Sequence, residues 1–441
     1  MKNTVLAAPH NAPLVLRESG IVNRWGGIPL MAWMLIQGMP LGKTLEPVKP
    51  TLMEDVYARS LEATSGGTSL NSMLLVLLLG CIYAGAARML LSKPRAAMLV
   101  LSRQWPVVAL LLFVALSVLW TQSQEKVVMN ILHNIGITLV TLVAALRYRN
   151  DPWLLPKHLG YVLSINIFIH VCAVALLPAF TIDWERRWLG LTGQANTLGA
   201  LSLSAFWANS AALCSGKPDR YHAHLTGTAL AIVAMFGANS VTSMISSTCL
   251  ITVMILLSRP DLTNRIGRAV TISVLVAVPI LAVLILFLVN AFDLGGILGL
   301  AGRSGDFSGR TSIWLDAIDL ITMQPLVGWS FDDHAYVIRS TGMLHTSYHN
   351  GYLDLAVTGG IVGVALLVAL LTTWMLEFRR HFRVALTIMP FSVPFVVALL
   401  IYNVTEASFV APRNQLWVVF LTLVLLGACR QLTLREAPRT F

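Results

Sequence analysis

The chain has 441 residues, of which 56% are hydrophobic and 12% are charged; its mean hydropathy is +0.72 and its net charge is +10. This composition excludes an ordinary soluble domain and predicts a membrane protein with several spans. The five cysteines lie in or beside apolar runs without CxxC spacing, which argues against a disulfide framework and against a zinc site.

Apolar segments near 20 residues long, the length that crosses a bilayer, recur along the chain. The first is the weakest, because glycines and prolines interrupt it. The residues before it include Lys2, Arg17 and Arg24 and predict a cytosolic tail rather than a cleaved signal peptide. The predicted fold class is an all-α polytopic membrane protein of about twelve transmembrane helices, placed at 26–42, 72–91, 105–120, 127–146, 158–179, 197–215, 223–239, 241–258, 268–292, 351–376, 384–402 and 414–429.

Lysine and arginine are distributed unevenly between the loops that join these spans. With both termini in the cytosol, 21 of the 31 basic residues and 6 of the 21 acidic residues fall on the cytosolic side. The positive-inside rule predicts this bias. The basic excess therefore reflects membrane topology, and it gives little support to nucleic-acid binding.

This topology divides the chain into three parts. Residues 1–292 hold nine spans with short loops, residues 293–350 form one large loop outside the cytosol, and residues 351–441 hold three spans and a cytosolic tail. Two shorter connections, 43–71 and 180–199, lie on the same side as the large loop. We expect the chemistry on that side, because the large loop concentrates arginines, histidines and acids.

The large loop contains a predicted helix. Ser308 or Thr311 can cap this helix, Gln324-Pro325 ends it, and Arg310 lies in or near its first turn. A guanidinium beside exposed backbone N–H groups makes a natural anion site. The helical spacing is carried by the apolar residues Ile313, Trp314, Ala317, Ile318 and Ile321.

The end of the large loop leads into the tenth span. Thr346 or Ser347 is predicted to cap this span, so that His349 and Asn350 occupy its first turns at the membrane face. Small residues a few turns deeper would let a neighbouring helix approach closely. These residues are Gly359, Gly360 and Gly363.

Four arginines outside the cytosol cluster beside glycines: Arg186 and Arg187 in one loop, and Arg303 and Arg310 in the other. Snorkelling to lipid headgroups is one explanation for arginines near a span. Bidentate contact with phosphate is the other, because the guanidinium geometry matches phosphate oxygens. The scarcity of basic residues on this side favours a phosphate role for at least two of the four.

The histidines of the large loop allow more than one interpretation. His345 and His349 are four residues apart, so on a helix they would share a face and could ligate a metal with Asp354 or Asp332. No further His or Cys follows at ligand spacing, so we expect no metal and no cofactor. A structural role for each histidine is the remaining alternative.

The large loop has a GRxxxW motif, a Pro-x-x-Gly motif and an HN-x-Y-L motif followed by two glycines, and the smaller loop has R-x-x-G followed by N-x-x-G. These short motifs resemble those of the O-antigen ligase and polymerase superfamily of bacterial envelopes. Where relatives often carry Ser-Arg after the seventh span, this chain has Asn239-Ser240-Val241-Thr242. The motif residues are Gly309, Arg310, Trp314, Pro325, Gly328, His349, Asn350, Tyr352, Leu353, Gly359 and Gly360, and in the smaller loop Arg187, Gly190, Asn196 and Gly199.

The resemblance implies a glycosyltransferase of the bacterial inner membrane with its active site facing the periplasm. Such an enzyme transfers a glycan from undecaprenyl pyrophosphate to an acceptor, which in a ligase is the lipid A-core oligosaccharide of lipopolysaccharide. A single dominant periplasmic loop favours a ligase over a polymerase. A polymerase or a protein O-oligosaccharyltransferase of the same superfamily is the alternative.

The chemistry of this reaction assigns roles to the candidate residues. Attack by an alcohol on an anomeric carbon needs a base, and histidine suits that task at neutral pH. The departing pyrophosphate needs fixed positive charge. We expect His349 as the base and Arg310 and Arg187 at the pyrophosphate, with inversion of the anomeric centre and without a metal. Substrate contacts are expected from Arg303, Arg186, Asn350, His345, His334, Trp314 and Asn196.

A transporter or flippase of lipid-linked glycan is the rival class, since about twelve spans would suit one. However, the halves of the chain show no internal repeat, and the spans carry few charges that could couple ions. A scaffold without chemistry would leave the arginines and histidines unexplained.

Overall fold

The computed structural model describes residues 20–39, 47–48, 70–215, 220–257, 310–380 and 382–436. Within these ranges the chain is helical, and the one β-bridge joins Ile182 to Trp188. The main helices are α1 (Gly20–Trp25), α2 (Ile28–Ile36), α3 (Leu70–Leu91), α4 (Pro94–Arg103), α5 (Trp105–Leu116), α6 (Gln124–Tyr148), α7 (Leu154–Leu176), α8 (Ala195–Cys214), α9 (Tyr221–Gly237), α10 (Val241–Leu257), α11 (Arg310–Met323), α12 (Ala335–Thr341), α13 (Gly351–Arg380), α14 (Phe382–Thr405) and α15 (Gln415–Glu436).

Six helices of the described residues are long and apolar enough to cross a membrane: α3, α6, α7, α8, α13 and α14. A seventh span is possible if α4 and α5, which bend by 87° at their junction, count as one. The structure thus has the predicted all-helical, multi-pass class. The predicted ninth span, 268–292, lies outside the described residues, so the count of twelve stays a prediction.

The predicted first span, 26–42, differs from the observed structure. Its helix, α2, has nine residues and is too short to cross a bilayer. The helix ends where its last carbonyl groups meet a buried side chain of α7: the Asn166 amide donates to the carbonyls of Met34, Leu35 and Gln37 at 2.9–3.0 Å. This contact replaces the hydrogen bonds that a continuing helix would have made.

Two spans, α8 and α14, form the centre of the bundle. α8 and α14 are largely buried within the protein, whereas α3 is mostly exposed, as a lipid-facing helix would be. The Trp207 indole of α8 donates to the carbonyl of Phe391 in α14 at 2.8 Å. The ends of these two central helices, near Asn196 and Thr405, bring distant parts of the chain to one place.

A break in α13 shapes the same end of the bundle. Gly360 has φ 58° and ψ −160°, a conformation available essentially to glycine alone. Residues 325–330 of the large loop fill the break: Trp329 N–H donates to Val357 O, and Ile361 N–H donates to Pro325 O. The loop backbone thus packs against Gly360, a partner that the sequence did not predict. The predicted neighbouring helix is α5, whose Phe113 side chain lies close to Gly359 and Gly363.

The bundle has two chemically different ends. Arg430 of α15 donates to the carbonyls of Arg149 and Asn150, just beyond the end of α6. The opposite ends of the same two helices, at Lys126 and Gln415, line a polar cavity. The helix α6, with 25 residues, separates the two ends by about 37 Å.

Candidate active site

A buried carboxylate, Glu406, lies where α14 ends and joins three of the predicted site residues. The guanidinium of Arg310 donates to Glu406 Oε1 at 2.6 Å and to the carbonyl of Thr405 at 2.5 Å. The Asn196 amide donates to Glu406 Oε1 at 2.7 Å, and His349 Nδ1 lies 3.4 Å from Oε2. The carboxylate of Glu406, at the end of α14, thus joins residues from the starts of α8 and α11 and from the turn before α13.

Arg310 occupies the predicted position, because α11 begins at this residue. The helix buries Ala317 and Leu320, while Ile318, which the sequence placed on the packed face, is 48% exposed. The buried face pairs α11 with the start of α13 through Val357 and Tyr348. This packing sets the first turn of α11 against the end of α14.

His349 lies in a tight turn and not in a helix. Its φ is +47°, and its backbone N–H donates to Ser347 Oγ at 3.2 Å. The cap of α13 is Asn350, whose Oδ1 accepts the backbone N–H groups of Tyr352 and Leu353 at 3.0 and 3.1 Å. The predicted cap at Thr346 or Ser347 is therefore wrong, because both His349 and Asn350 precede the first helical residue.

The turn at His349 is held from two sides. The Trp314 indole donates to the carbonyl of Tyr348 at 3.0 Å, and Asp354 Oδ1 accepts the Tyr348 N–H at 3.2 Å. Trp314 is thus bonded to backbone in this structure, beside the candidate base. Its predicted contact with substrate stays a prediction.

Each of the three predicted histidines has its own carboxylate neighbour. His334 Nε2 lies 3.4 Å from Asp354, and His345 Nε2 lies 2.8 Å from Asp316. Burial lowers the pKa of His334, but the negative charges of Asp354, Asp333 and Asp332 outweigh burial and raise that pKa above its ordinary value.

The histidines do not form a metal site among the described residues. The segment from 342 to 350 is not helical, so His345 and His349 do not share a helix face, and they meet different carboxylates. No group of three or more His, Cys, Asp or Glu side chains in the described part of the chain could hold a metal ion. Metal independence itself stays a prediction.

The second arginine-bearing loop forms a tight hairpin between Ile182 and Trp188. Arg187 pairs with Asp183 at 2.9 Å and with Glu185 at 3.0 Å, so its guanidinium is engaged within the hairpin. Arg186 is exposed at the tip with φ +61°. The structure records no contact of either arginine with the Glu406 cluster. Arg303 lies outside the described residues.

The glycines of the smaller loop permit close packing. Gly190 has φ +56° beside His170, and the next N–H, that of Leu191, donates to His170 Nδ1 at 2.9 Å. At Gly199, one turn after Asn196, a Cβ would lie 2.8 Å from Ser243 Oγ of α10. The R-x-x-G and N-x-x-G motifs thus anchor this loop to α7 and α10.

A cavity of about 850 Å³ lies beside the Glu406 cluster. Chain neighbours of the cluster, Thr197, Ser347 and Ala407, form part of its wall. Amides, hydroxyls and two phenylalanines are suited to the polar groups and apolar faces of a sugar. The polar and aromatic residues of the wall include Asn130, Gln194, Thr346, Thr358, Phe331, Phe409, Asn414 and Gln415. Its basic side chains are Lys126, Arg413 and His334, and its acidic side chains are Glu125, Asp333 and Asp354.

Glu406, Lys126 and Arg413 are absent from the sequence predictions. Glu406 had one usable signal, because it is the single acid between Glu377 and Glu436 and directly follows a predicted span outside the cytosol. An isolated acid at that position is costly near lipid and indicates a partner. Lys126 and Arg413 had no local signal, since only packing brings their segments to the cavity.

One segment of the chain matches a known protein family. Residues 226–368 match a family model described as O-antigen ligase. This segment contains Arg310, His349 and the glycines of α13, whereas Asn196 and Glu406 lie outside it. No curated protein matches the chain.

Proposed function

We propose that the chain is a member of the O-antigen ligase family, whose model matches residues 226–368, and that it is a glycosyltransferase joining a glycan from undecaprenyl pyrophosphate to the lipid A-core oligosaccharide. The observation that carries this proposal is the meeting of Arg310 and His349 at one buried carboxylate. A cation for a leaving phosphate and a base for an attacking alcohol are the two groups that the reaction needs.

The proposed step is a direct displacement. The acceptor hydroxyl gives its proton to His349 Nε2 while its oxygen bonds to the anomeric carbon of the donor sugar. The bond from that carbon to the phosphate oxygen breaks, and its electron pair leaves with undecaprenyl pyrophosphate. Arg310 stabilises the negative charge that develops on the leaving group, and the anomeric centre inverts.

The polar cavity is our candidate for a sugar site. Its volume of about 850 Å³ lies within the range of ligand pockets and leaves room for more than one sugar ring. Asn350, His345 and Trp314 support the turn or the helices around His349, and Arg187, Arg186 and Arg303 remain candidates for pyrophosphate contact.

The proposed orientation puts this site at the periplasmic face of the bacterial inner membrane, with about twelve spans and both termini in the cytosol. Arg149 and Arg430 at the far end of the bundle agree with a cytosolic face under the positive-inside rule. The lipid-linked donor would then reach the site from the outer leaflet, with its pyrophosphate at headgroup level.

Transfer by purified protein tests the roles of His349 and Arg310. We expect His349→Ala to lower the turnover number by about 10² to 10⁴-fold, because a general base contributes that much. Arg310→Lys should also abolish glycan transfer, since one ammonium group cannot replace the bidentate donors of a guanidinium. The matched control, His222→Ala, changes an exposed histidine of α9 outside the cluster and should keep the activity. Full activity in His349→Ala would move the base to His345 or His334.

The same assay separates the alternative functions. Product on lipid A-core supports the ligase, elongation of the lipid-linked glycan supports a polymerase, and product on a protein supports an oligosaccharyltransferase. Movement of donor across the membrane without bond formation would support the transporter.

A further inference from the structure

We propose that Glu406 is a positioning residue that couples donor binding to the base. Its carboxylate binds Arg310 until a donor phosphate replaces the carboxylate there, and the carboxylate then hydrogen-bonds to His349 Nδ1. This inference rests on the proposed function. It concerns a residue outside the segment that matches the family model.

The contacts of Arg310 are the first observation. Its guanidinium already binds Glu406 Oε1 and the carbonyl of Thr405, and the side chains of Arg310 and Glu406 are only 15% and 9% exposed. A donor phosphate must therefore compete with a shielded carboxylate for the same cation. Such competition weakens donor binding relative to an unoccupied arginine.

The unequal use of the two carboxylate oxygens is the second observation. Oε1 accepts from both Arg310 and Asn196 at 2.6 and 2.7 Å, whereas among the described residues Oε2 meets His349 Nδ1 alone, at 3.4 Å. The contact of the carboxylate with His349 is therefore weaker than its contacts with Arg310 and Asn196. If phosphate draws Arg310 away, the carboxylate is free to approach Nδ1.

The backbone around Glu406 is fixed, which limits this change to side chains. The Glu406 N–H donates to Tyr402 O at 3.1 Å, and its carbonyl accepts the N–H of Gly351 at 2.9 Å. Gly351 is the first residue of α13, two positions after His349. The carboxylate thus stays within reach of both Arg310 and His349 without movement of a helix.

A carboxylate at Nδ1 has a defined effect on the reaction. It favours the tautomer with hydrogen on Nδ1, which leaves the lone pair on Nε2 to accept the proton of the acceptor hydroxyl. It also stabilises the imidazolium that this proton transfer creates. Glu406 takes no part in bond making or breaking.

Glu406→Gln distinguishes this role from a merely structural one. Glutamine keeps the size and an acceptor oxygen but removes the negative charge. Arg310 then becomes available to phosphate, so donor affinity should rise by about threefold to tenfold. The turnover number should fall by about tenfold or more, because the imidazolium loses its counter-charge. If Glu406 only stabilised the fold, Glu406→Gln would lower donor affinity and the turnover number together.

The experiment uses the full-length protein in lipid nanodiscs, with undecaprenyl pyrophosphate as the binding probe and glycan transfer as the kinetic readout. The matched control is Asp319→Asn, which removes an exposed acid from the same helix as Arg310. Asp319→Asn should leave both values unchanged. Tighter binding with slower turnover in Glu406→Gln supports the proposal; unchanged or weaker binding overturns it.

Glu406→Asp gives an independent test if the glutamine variant does not fold. Aspartate keeps the charge, but its shorter side chain should hold Arg310 less well, so binding should tighten and turnover should again fall. An unchanged Kd would overturn the inference. Failure of the unmodified protein to bind the probe and to transfer glycan would instead contradict the proposed function.

Discussion

The three histidines of the large loop differ most in how far solvent can reach them. The side chain of His334 is 6% exposed, that of His345 is 28% exposed and that of His349 is 40% exposed. A base must touch its substrate, so this order favours His349. His334, beside Asp354, is better suited to holding the loop together.

The buried His334–Asp354 pair links stability to pH. Because the pKa of His334 is raised in the folded protein, its contribution to stability is fully present below about pH 6.5 and is lost as pH rises through the folded pKa. The free energy of unfolding should therefore fall above pH 6.5 by at most about 1.4 kcal/mol per pH unit from this group, and the unfolding temperature should fall with it. Thermal unfolding in detergent between pH 6 and pH 9 measures it.

His334→Asn should remove that part of the pH dependence. Asparagine tolerates the φ of +63° at this position, so the substitution tests the charge rather than the backbone. His222→Asn, an exposed histidine on α9, is the matched control and should keep the original slope. An unchanged slope in His334→Asn would show that the pair does not govern this dependence.

The broken helix α13 and the segment 325–330 form one structural unit. Gly328, with φ +67°, lies so close to α13 that a Cβ would come within 2.6 Å of the backbone nitrogens of Gly359 and Gly360. The Pro-x-x-Gly and Gly-Gly motifs are thus two sides of one contact. This contact fixes the large loop against α13 and so sets where His349 lies relative to α14.

Gly360→Ala should disrupt this unit. Its backbone conformation is strained for any residue with a Cβ, at a cost of about 1–3 kcal/mol, and the new methyl group would also collide with Leu326. We expect a lower unfolding temperature and loss of transfer activity. Gly85→Ala is the control, because a Cβ there meets no atom within 4 Å. Equal stability of both variants would contradict the proposed role of the break.

The molecule as a whole has a site end and a basic end, separated by the length of its spans. Trp184 lies in the hairpin that precedes α8 at the site end, and Ser92 lies between α3 and α4 beside Lys93 in the sequence. Both Trp184 and Ser92 are exposed. The proposed topology assigns them to opposite sides of the membrane.

Cysteine labelling in intact cells tests that topology. In a background with the five native cysteines replaced, Trp184→Cys should react with a membrane-impermeant maleimide added from the periplasmic side. Ser92→Cys should react only after the inner membrane is permeabilised. Labelling of both positions from one side would refute the assigned orientation and, with it, the periplasmic site.

The sequence by itself determined the membrane class and the positions of most helices, and it predicted His349 and Arg310 as the residues for the chemistry. It could do so because hydropathy, helix length and the arginine and histidine motifs are local properties of the chain. The same local reasoning placed Arg310 in the first turn of α11. It also predicted a helix partner for the glycines of α13, which α5 provides at Gly359 and Gly363, but it did not predict the loop that lies against Gly360.

Only the tertiary structure decided which groups meet. Glu406 is 96 residues from Arg310, 57 from His349 and 210 from Asn196, and no local pattern encodes such contacts. Each depends on the packing of α8, α11, α13 and α14, because helix ends come together only when the bundle between them is complete. The pairing of each histidine with its own carboxylate follows from the same packing.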